Sequence, residues 1–284
     1  MMKKWMSLGL MVLLPALGLA QIEDKAETKT KGLRDIEILG YGLDVHGFVD
    51  LTGQSKYLWR GFDVYDDRSA GQMTAGMQFA DTGLGAVVSG HRATGGGYEM
   101  WERWDYSLFY QHSLFKGEPI QTNYRFGWVY YNYAQQWWKS YDLQEAHVIV
   151  SMPNVTMIKG LVPSAGLIKL WPSASGSPYV GGPASGWIYI GMLDYTFAVP
   201  GVTPTMPEQV IKLHGELVYN DGVSPYNGWV DSDWSDAVIG VSTDFDMGYG
   251  ITVTPGLYYQ QTLDTSVNPD QSETWFTLGG RFTF

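Results

Sequence analysis

The last ten residues of the chain, "WFTLGGRFTF", alternate with a period of two. Phe276, Leu278, Gly280, Phe282 and Phe284 fall on one side, and Trp275, Thr277, Gly279, Arg281 and Thr283 on the other. Successive side chains of a β-strand point to opposite faces, so this segment predicts a strand with one apolar face and one polar face bearing a single cation. The rhythm recurs upstream. In "VIKLHGELVYN", Ile211, Leu213, Leu217 and Tyr219 oppose Lys212, His214, Glu216 and Asn220. In "WDYSLFYQH", Trp104, Tyr106, Leu108 and Tyr110 oppose Asp105, Ser107 and Gln111, with Phe109 as the exception. In "LQEAHVIVSM", Ala146, Val148 and Val150 oppose Glu145, His147 and Ser151. Rows so rich in charge do not suit a dry core. Paired with apolar rows, they suit a wall between hydrocarbon and a wet interior.

The fold class expected is all-β: a transmembrane, antiparallel, up-and-down β-barrel of about twelve strands, with ten or fourteen as alternatives. The strands fall at 45–62, 71–81, 84–94, 102–116, 119–133, 142–152, 161–171, 185–199, 208–220, 234–246, 249–262 and 273–284. The seventh and eleventh are the weakest, because Pro163 and Pro255 each remove a ladder donor. The connections alternate as a barrel requires. "DTG", "KGEP" and "DMGYG" are compact turns, and "PNVTMIKG" and "GVTPTMPE" are modest ones. Between them lie longer segments rich in Gly, Pro, Asp and Ser, such as "DVYDDRSA", "PSASGSPYVGGPAS" and "DGVSPYNGWVDSD", as expected of outward loops.

Composition narrows the class. Among 284 residues there are 35 Gly, 19 Tyr and 12 Trp, yet the longest apolar run after the first twenty residues is "WIYIGML", ended by Asp194. That run is too short for a spanning helix, which needs about 20 residues. The chain opens with Lys3 and Lys4, a short apolar stretch and "PALGLA" ending at Ala20, the layout of a secretory signal peptide. Residues 1–20 are therefore expected to be cleaved, 21–40 to form a charged periplasmic lead-in, and 41–284 to form one outer-membrane barrel domain. Cleavage removes Lys3 and Lys4 and takes the net charge from −11 to −13. An acidic exported chain is unsuited to nucleic acid. With zero Cys it has no disulfide and no thiolate metal site. The expected location is the outer membrane of a Gram-negative bacterium.

The stretch "GQSKYLWRGFD", 53–63, mixes fixed cations with large rings. Laid on the pleat of the first strand, Asp50, Lys56 and Arg60 fall on one face, and Val49, Leu51, Tyr57 and Trp59 on the other. This predicts Lys56 and Arg60 in the lumen and Tyr57 and Trp59 against lipid. A cation facing the bilayer midplane costs roughly 2–4 kcal/mol, which sets the register. Here "SKYLWRGF" resembles the Ser-x-Tyr-x-x-Arg-Gly signature of the TorF-type porins, a bacterial group long described only as a family of unknown function. Ser55, Tyr57, Arg60 and Gly61 carry the resemblance. It implies an outer-membrane porin-like protein and supplies no catalytic residue. The final Phe284, with Phe282, resembles the terminal signal that barrel assembly machinery recognises in outer-membrane proteins.

The function expected is passive diffusion of small polar solutes. Candidate pore-lining residues are Asp50, Lys56, Arg60, Asp105, Arg125, Glu145, His147, Asp194, Lys212, His214, Glu216 and Arg281, which together allow opposed basic and acidic ladders. One alternative is a closed structural or adhesive barrel, its charges pairing across a narrow lumen and its outer loops, including Trp137 and Trp138, meeting partners. Another is a barrel-embedded lipid hydrolase. His112 and Ser113 are neighbours on opposite faces, however, and nothing marks a nucleophile near His147, His214 or Ser151, so no catalytic residues and no enzyme activity are expected. Asp231, Asp233 and Asp236 in "DSDWSD" lack the glycine turn and closing Glu of a calcium loop, so neither a metal site nor another cofactor is expected. The partners expected are outer-membrane lipids, lipopolysaccharide, the assembly machinery and small polar solutes, with the oligomeric state left open.

Overall fold

The structure, a computed structural model, describes residues 36–38, 41–43, 45–79, 82–136, 141–173, 185–203, 206–223 and 231–284. The leader 1–20, most of the lead-in 21–40 and the Trp137–Trp138 pair lie outside the described residues. Twelve strands form the wall: β1 (Val45–Gln54), β2 (Ala70–Phe79), β3 (Leu84–Ala93), β4 (Arg103–Leu114), β5 (Thr122–Asn132), β6 (Leu143–Ser151), β7 (Leu161–Pro172), β8 (Gly186–Thr203), β9 (Met206–Asp221), β10 (Ser232–Thr243), β11 (Ile251–Thr262) and β12 (Glu273–Thr283). Past Asp244, β10 continues as Phe245–Gly248, still paired with β11. Each strand pairs antiparallel with the next, and β12 pairs with β1, so the sheet closes on itself. Closure removes both edges.

The ring is sealed by side chains as well as by backbone. Arg281 lies opposite Asp50 in the β12–β1 register and holds it with two bonds, Nε–Oδ1 at 2.6 Å and Nη2–Oδ2 at 2.5 Å. At the same end Phe284 exchanges backbone hydrogen bonds with Gly47. Its ring occupies the space a Cβ of Gly47 would need. The interior repeats this device. Phe48 lies over Gly76, Phe109 over Gly85, His147 over Gly127 and Tyr258 over Gly240, so flat rings cover bare backbone on the inner wall.

Connections at the end carrying Val45 and Phe284 span 80–83, 115–121, 152–160, 204–205 and 249–250. Those at the other end span 55–69, 94–102, 133–142, 173–185, 222–231 and 263–272 and are the longer set, as the alternation of turns and loops predicts. Pro163 and Pro255 both sit inside strands, and the ladder runs on past each of them.

The outer surface is apolar where the bilayer would lie. Leu51, Met73, Leu108, Leu193, Ile239, Leu257 and Leu278 are all exposed there. Rings cluster toward the loop end at Trp104, Tyr106, Trp128, Trp187, Tyr189, Trp234 and Tyr259, and toward the other end at Tyr110, Phe126 and Phe282. Two aromatic belts around an aliphatic band are the outer dress of a membrane barrel.

The first strand corrects the sequence reading. It ends at Gln54 rather than near residue 62, and Tyr57 and Trp59 are 1% and 2% exposed inside the barrel, not against lipid. The pleat cannot be extended past Gln54 because the chain turns inward. Leu58–Trp59 pairs with Phe62–Asp63 as a two-residue hairpin in which Arg60 and Gly61 both have positive φ, 56° and 88°. Positive φ at both central residues marks the tight turn that suits twisted hairpins.

The outward band yields a test. Leu108 lies midway along β4 and is 58% exposed. Replacing it with Arg is expected to cost roughly 2–4 kcal/mol of folding stability in bilayers, read from reversible denaturation in vesicles. A neutral result there would remove Leu108 from the lipid face.

Candidate functional site in the barrel lumen

The segment 55–69 is expected from alternation to finish the first strand, as far as residue 62, and then to form an outward loop. Instead it fills the loop-end half of the lumen, and its composition explains why. Tyr57, Trp59, Phe62 and Tyr65 are each 2% exposed or less. They pack with Val129, Tyr131, Leu143, Ile149, Ile168, Leu170, Ile188, Ile190, Met192 and Val218, which point inward from β5 to β9. Each large apolar side chain removed from water contributes about 1.5–3 kcal/mol. A non-glycine residue held at positive φ, as Arg60 is, costs about 1–3 kcal/mol. Asp66 and Asp67 also have positive φ, 48° and 64°, but aspartate tolerates that region; four buried rings outweigh the strain, so the hairpin stays inside.

Polar contacts fix its position. The Arg60 guanidinium donates through Nη2 to Glu145 Oε2 on β6 at 2.7 Å, with both side chains almost fully buried. Glu145 also accepts from Tyr131 Oη at 2.7 Å, and its other oxygen lies 2.9 Å from His147 Nδ1. Arg103, at the start of β4, makes two bonds to Asp105, donates to Tyr57 Oη at 3.0 Å and stacks over Trp59 and Tyr131 at 4.6 and 4.7 Å. Gln260 and Asn268 both donate to the Gly61 carbonyl, at 2.6 and 3.0 Å. Gly61 is required twice over: it carries positive φ, and a Cβ there would meet Asp236 Oδ1.

The hairpin returns to the wall through a carboxylate turn. Asp63 accepts from the backbone of Tyr65 and of Asp67, and its own N–H donates to Asp270. Burial pushes the Asp63 carboxyl up, and the two amides work against that shift. Lys56 bridges Asp67 and Glu273. Burial opposes its charge, but the two carboxylates prevail and raise its pKa. Asp63, Asp67 and Glu273 bring ligand atoms within 4.8 Å of one another, and the Lys56 ammonium already pairs with two of the three. Asp231, Asp233 and Asp236 do not converge: a bulge at Ser235 turns Asp236 inward, while Asp231 stays exposed.

All twelve residues singled out by alternation lie on the lumen side or in the inserted segment. Asp105 receives Arg103 and His91, Lys212 pairs with Asp244, and His214 sits between Asp194 at 2.7 Å and Glu216 at 3.6 Å. Arg125 stacks on Phe109 at 3.8 Å. Arg103 and Arg125 on β4 and β5 stand three to six of the twelve strands away around the barrel from Asp194, Glu216 and Asp236 on β8 to β10. Sequence reasoning missed Arg103, Tyr131, His91, Gln260 and Asn268. Arg103 shares the parity of Asp105, which was signal enough to find it. Asn268, on a loop, left no such trace.

The same placement bears on hydrolysis. His147 has a carboxylate partner in Glu145, but Ser151 is four residues further along the same strand, about 13 Å away at strand rise. The His147 Nε2 is buried with no hydrogen-bond partner among the described residues.

No family model matches the sequence, and no curated protein is significantly similar to it. Among solved structures, the NanC porin in its rhombohedral crystal form matches with a TM-score of 0.52 at 12% identity, over 83% of this chain and 100% of that one. The KdgM porin matches with a TM-score of 0.49 at 11% identity, over 84% and 99%. The fold is a closed antiparallel barrel like that of the NanC porin. At such identities the likeness is one of fold, so what passes through the barrel has to be argued from the residues above.

The hairpin lock predicts a labelling result. The chain has no Cys, so Ala70→Cys, at a buried site in the hairpin's apolar cluster, reports on insertion by itself. Maleimide labelling of A70C is expected to be slow, and at least several-fold faster when Gly61→Ala is added, because the added Cβ meets Asp236 and cannot hold the turn. Equal rates would mean that Gly61 does not hold the hairpin in place.

Proposed function

We propose that this protein is an outer-membrane porin-like channel for passive diffusion of small polar solutes, constricted by its own first loop. One observation carries the reading: a closed barrel is apolar outside and charged on its inner wall, with the polar side running from β10 through β12 and β1 to β4. A wall that only needed filling would not need that charge. Residues 1–20 would be removed on export, 21–40 would remain at the periplasmic side, and the barrel would contact lipid and lipopolysaccharide after insertion by the assembly machinery that reads Phe282 and Phe284. Ser55, Tyr57, Arg60 and Gly61 support kinship with the TorF-type porins. Each has a task in seating the hairpin, Ser55 by accepting from the Phe276 amide at 2.9 Å.

The near-complete burial of Tyr57, Trp59, Phe62 and Tyr65 favours a second reading, a closed structural barrel. Planar-bilayer recording separates the two. The full chain is expected to give small unitary conductance, and replacing residues 56–66 with a short Gly-Ser link to raise it several-fold. Silence from both proteins, with folding shown by heat-modifiable migration, would retire the channel reading and leave the closed barrel.

A further inference from the structure

We propose that the Glu145 pocket is a binding site for organic cations, solutes with a guanidinium or primary ammonium group on an apolar body, and that the hairpin is its intramolecular occupant. This inference rests on the channel reading above and adds the class of solute. The pocket is a built one. Glu145 is fully buried on the inner wall and oriented by the Tyr131 hydroxyl on Oε2 and His147 Nδ1 on Oε1, which leaves one acceptor position on each oxygen; Arg60 takes only the one on Oε2. Around it stand the Trp59 and Tyr131 rings, set edge to face at 5.5 Å, with Val129 across from it on β5 and Leu170 across from it on β7. A carboxylate beside apolar and aromatic walls recognises a cation with an apolar body, and a planar guanidinium best of all.

The present occupant fits imperfectly. Arg60 holds its backbone at a φ of 56°, and its buried Nε has no hydrogen-bond partner among the described residues. A guanidinium free of the main chain can rotate to use both edges of its fork and imposes no backbone strain. Its apolar part can take the place of the hairpin rings against the wall of β6 to β9. The wall charge favours the same class, because on β8 to β10 and just past it the carboxylates Asp194, Glu216, Asp236 and Asp244 outnumber Lys212 and His214. A sector of net negative sign raises the local concentration of cations.

Chemical rescue of the full chain tests this. Arg60→Ala leaves the Glu145 carboxylate buried without its cation and is expected to lower the thermal midpoint in detergent and raise bilayer conductance. Millimolar ethylguanidinium is expected to restore the midpoint and suppress the R60A conductance several-fold. The neutral isostere N-ethylurea should do neither, and R60A/E145Q should not respond to ethylguanidinium. Arg60→Gln, which keeps length without charge, serves if R60A does not fold. Absent rescue, or rescue shared by N-ethylurea or by the E145Q background, overturns the proposal. The thermal arm needs no conductance, so a barrel that never conducts would defeat the channel reading while still reporting on the cation site.

Discussion

Closure of the sheet is the constraint on which everything else depends. When β12 pairs with β1, the inner face becomes a confined space whose side chains can reach neither lipid nor bulk water freely. Every inward charge must then find a partner inside, and most of those described do: Arg60 with Glu145, Arg103 with Asp105, Lys212 with Asp244, Arg281 with Asp50. A buried charge stripped of its partner is expensive, so these pairs fix arrangement more than they add net stability. The first two locate the hairpin. The rings hold it there.

The aliphatic sector on β6 to β9 completes that picture. An inner wall meant only for water would not carry Ile149, Ile168, Leu170, Ile188 and Ile190. On β8 the result is a strand apolar on both faces, Trp187, Tyr189 and Leu193 outward and Ile188, Ile190 and Met192 inward. The outer set meets hydrocarbon, and the inner set meets the hairpin. The sector and the hairpin therefore explain each other: neither has a reason to be apolar unless the other is present.

This division also marks what could be seen in the sequence. Alternation placed the strands within a few residues, gave the parity of turns and loops, and assigned Asp50, Asp105, Glu145, Lys212 and Arg281 to the inner face, because a strand's period of two is local. It misplaced Tyr57 and Trp59 for the same reason. The pleat was carried through Ser55 and Lys56, where the chain had already left the ladder, and the apolar partners that draw those rings inward lie on strands some seventy to one hundred and sixty residues away. The Arg60-Gly61 turn was the available signal, since glycine at that place suits a tight hairpin better than a continuing strand. The run "WIYIGML" was the other: an apolar stretch that fails to alternate has an interior to fill.

The two fastenings of the hairpin differ in kind, and that difference locates any solute path. Apolar packing is strong and undirected, whereas the bonds to Glu145, Gln260 and Asn268 are directed and give way when one partner is lost. If the hairpin withdrew completely, water would have to wet the aliphatic sector of β6 to β9, at a cost set by the same area that now holds the rings. A smaller displacement, opening only toward β10 to β12 and β1 to β4, would expose Gln260, Thr277, Asp50, Thr74 and Ser89, which water solvates without that cost. The physical chemistry of the wall therefore favours a path along its polar side, with the rings kept in place as a partition between that path and the aliphatic wall.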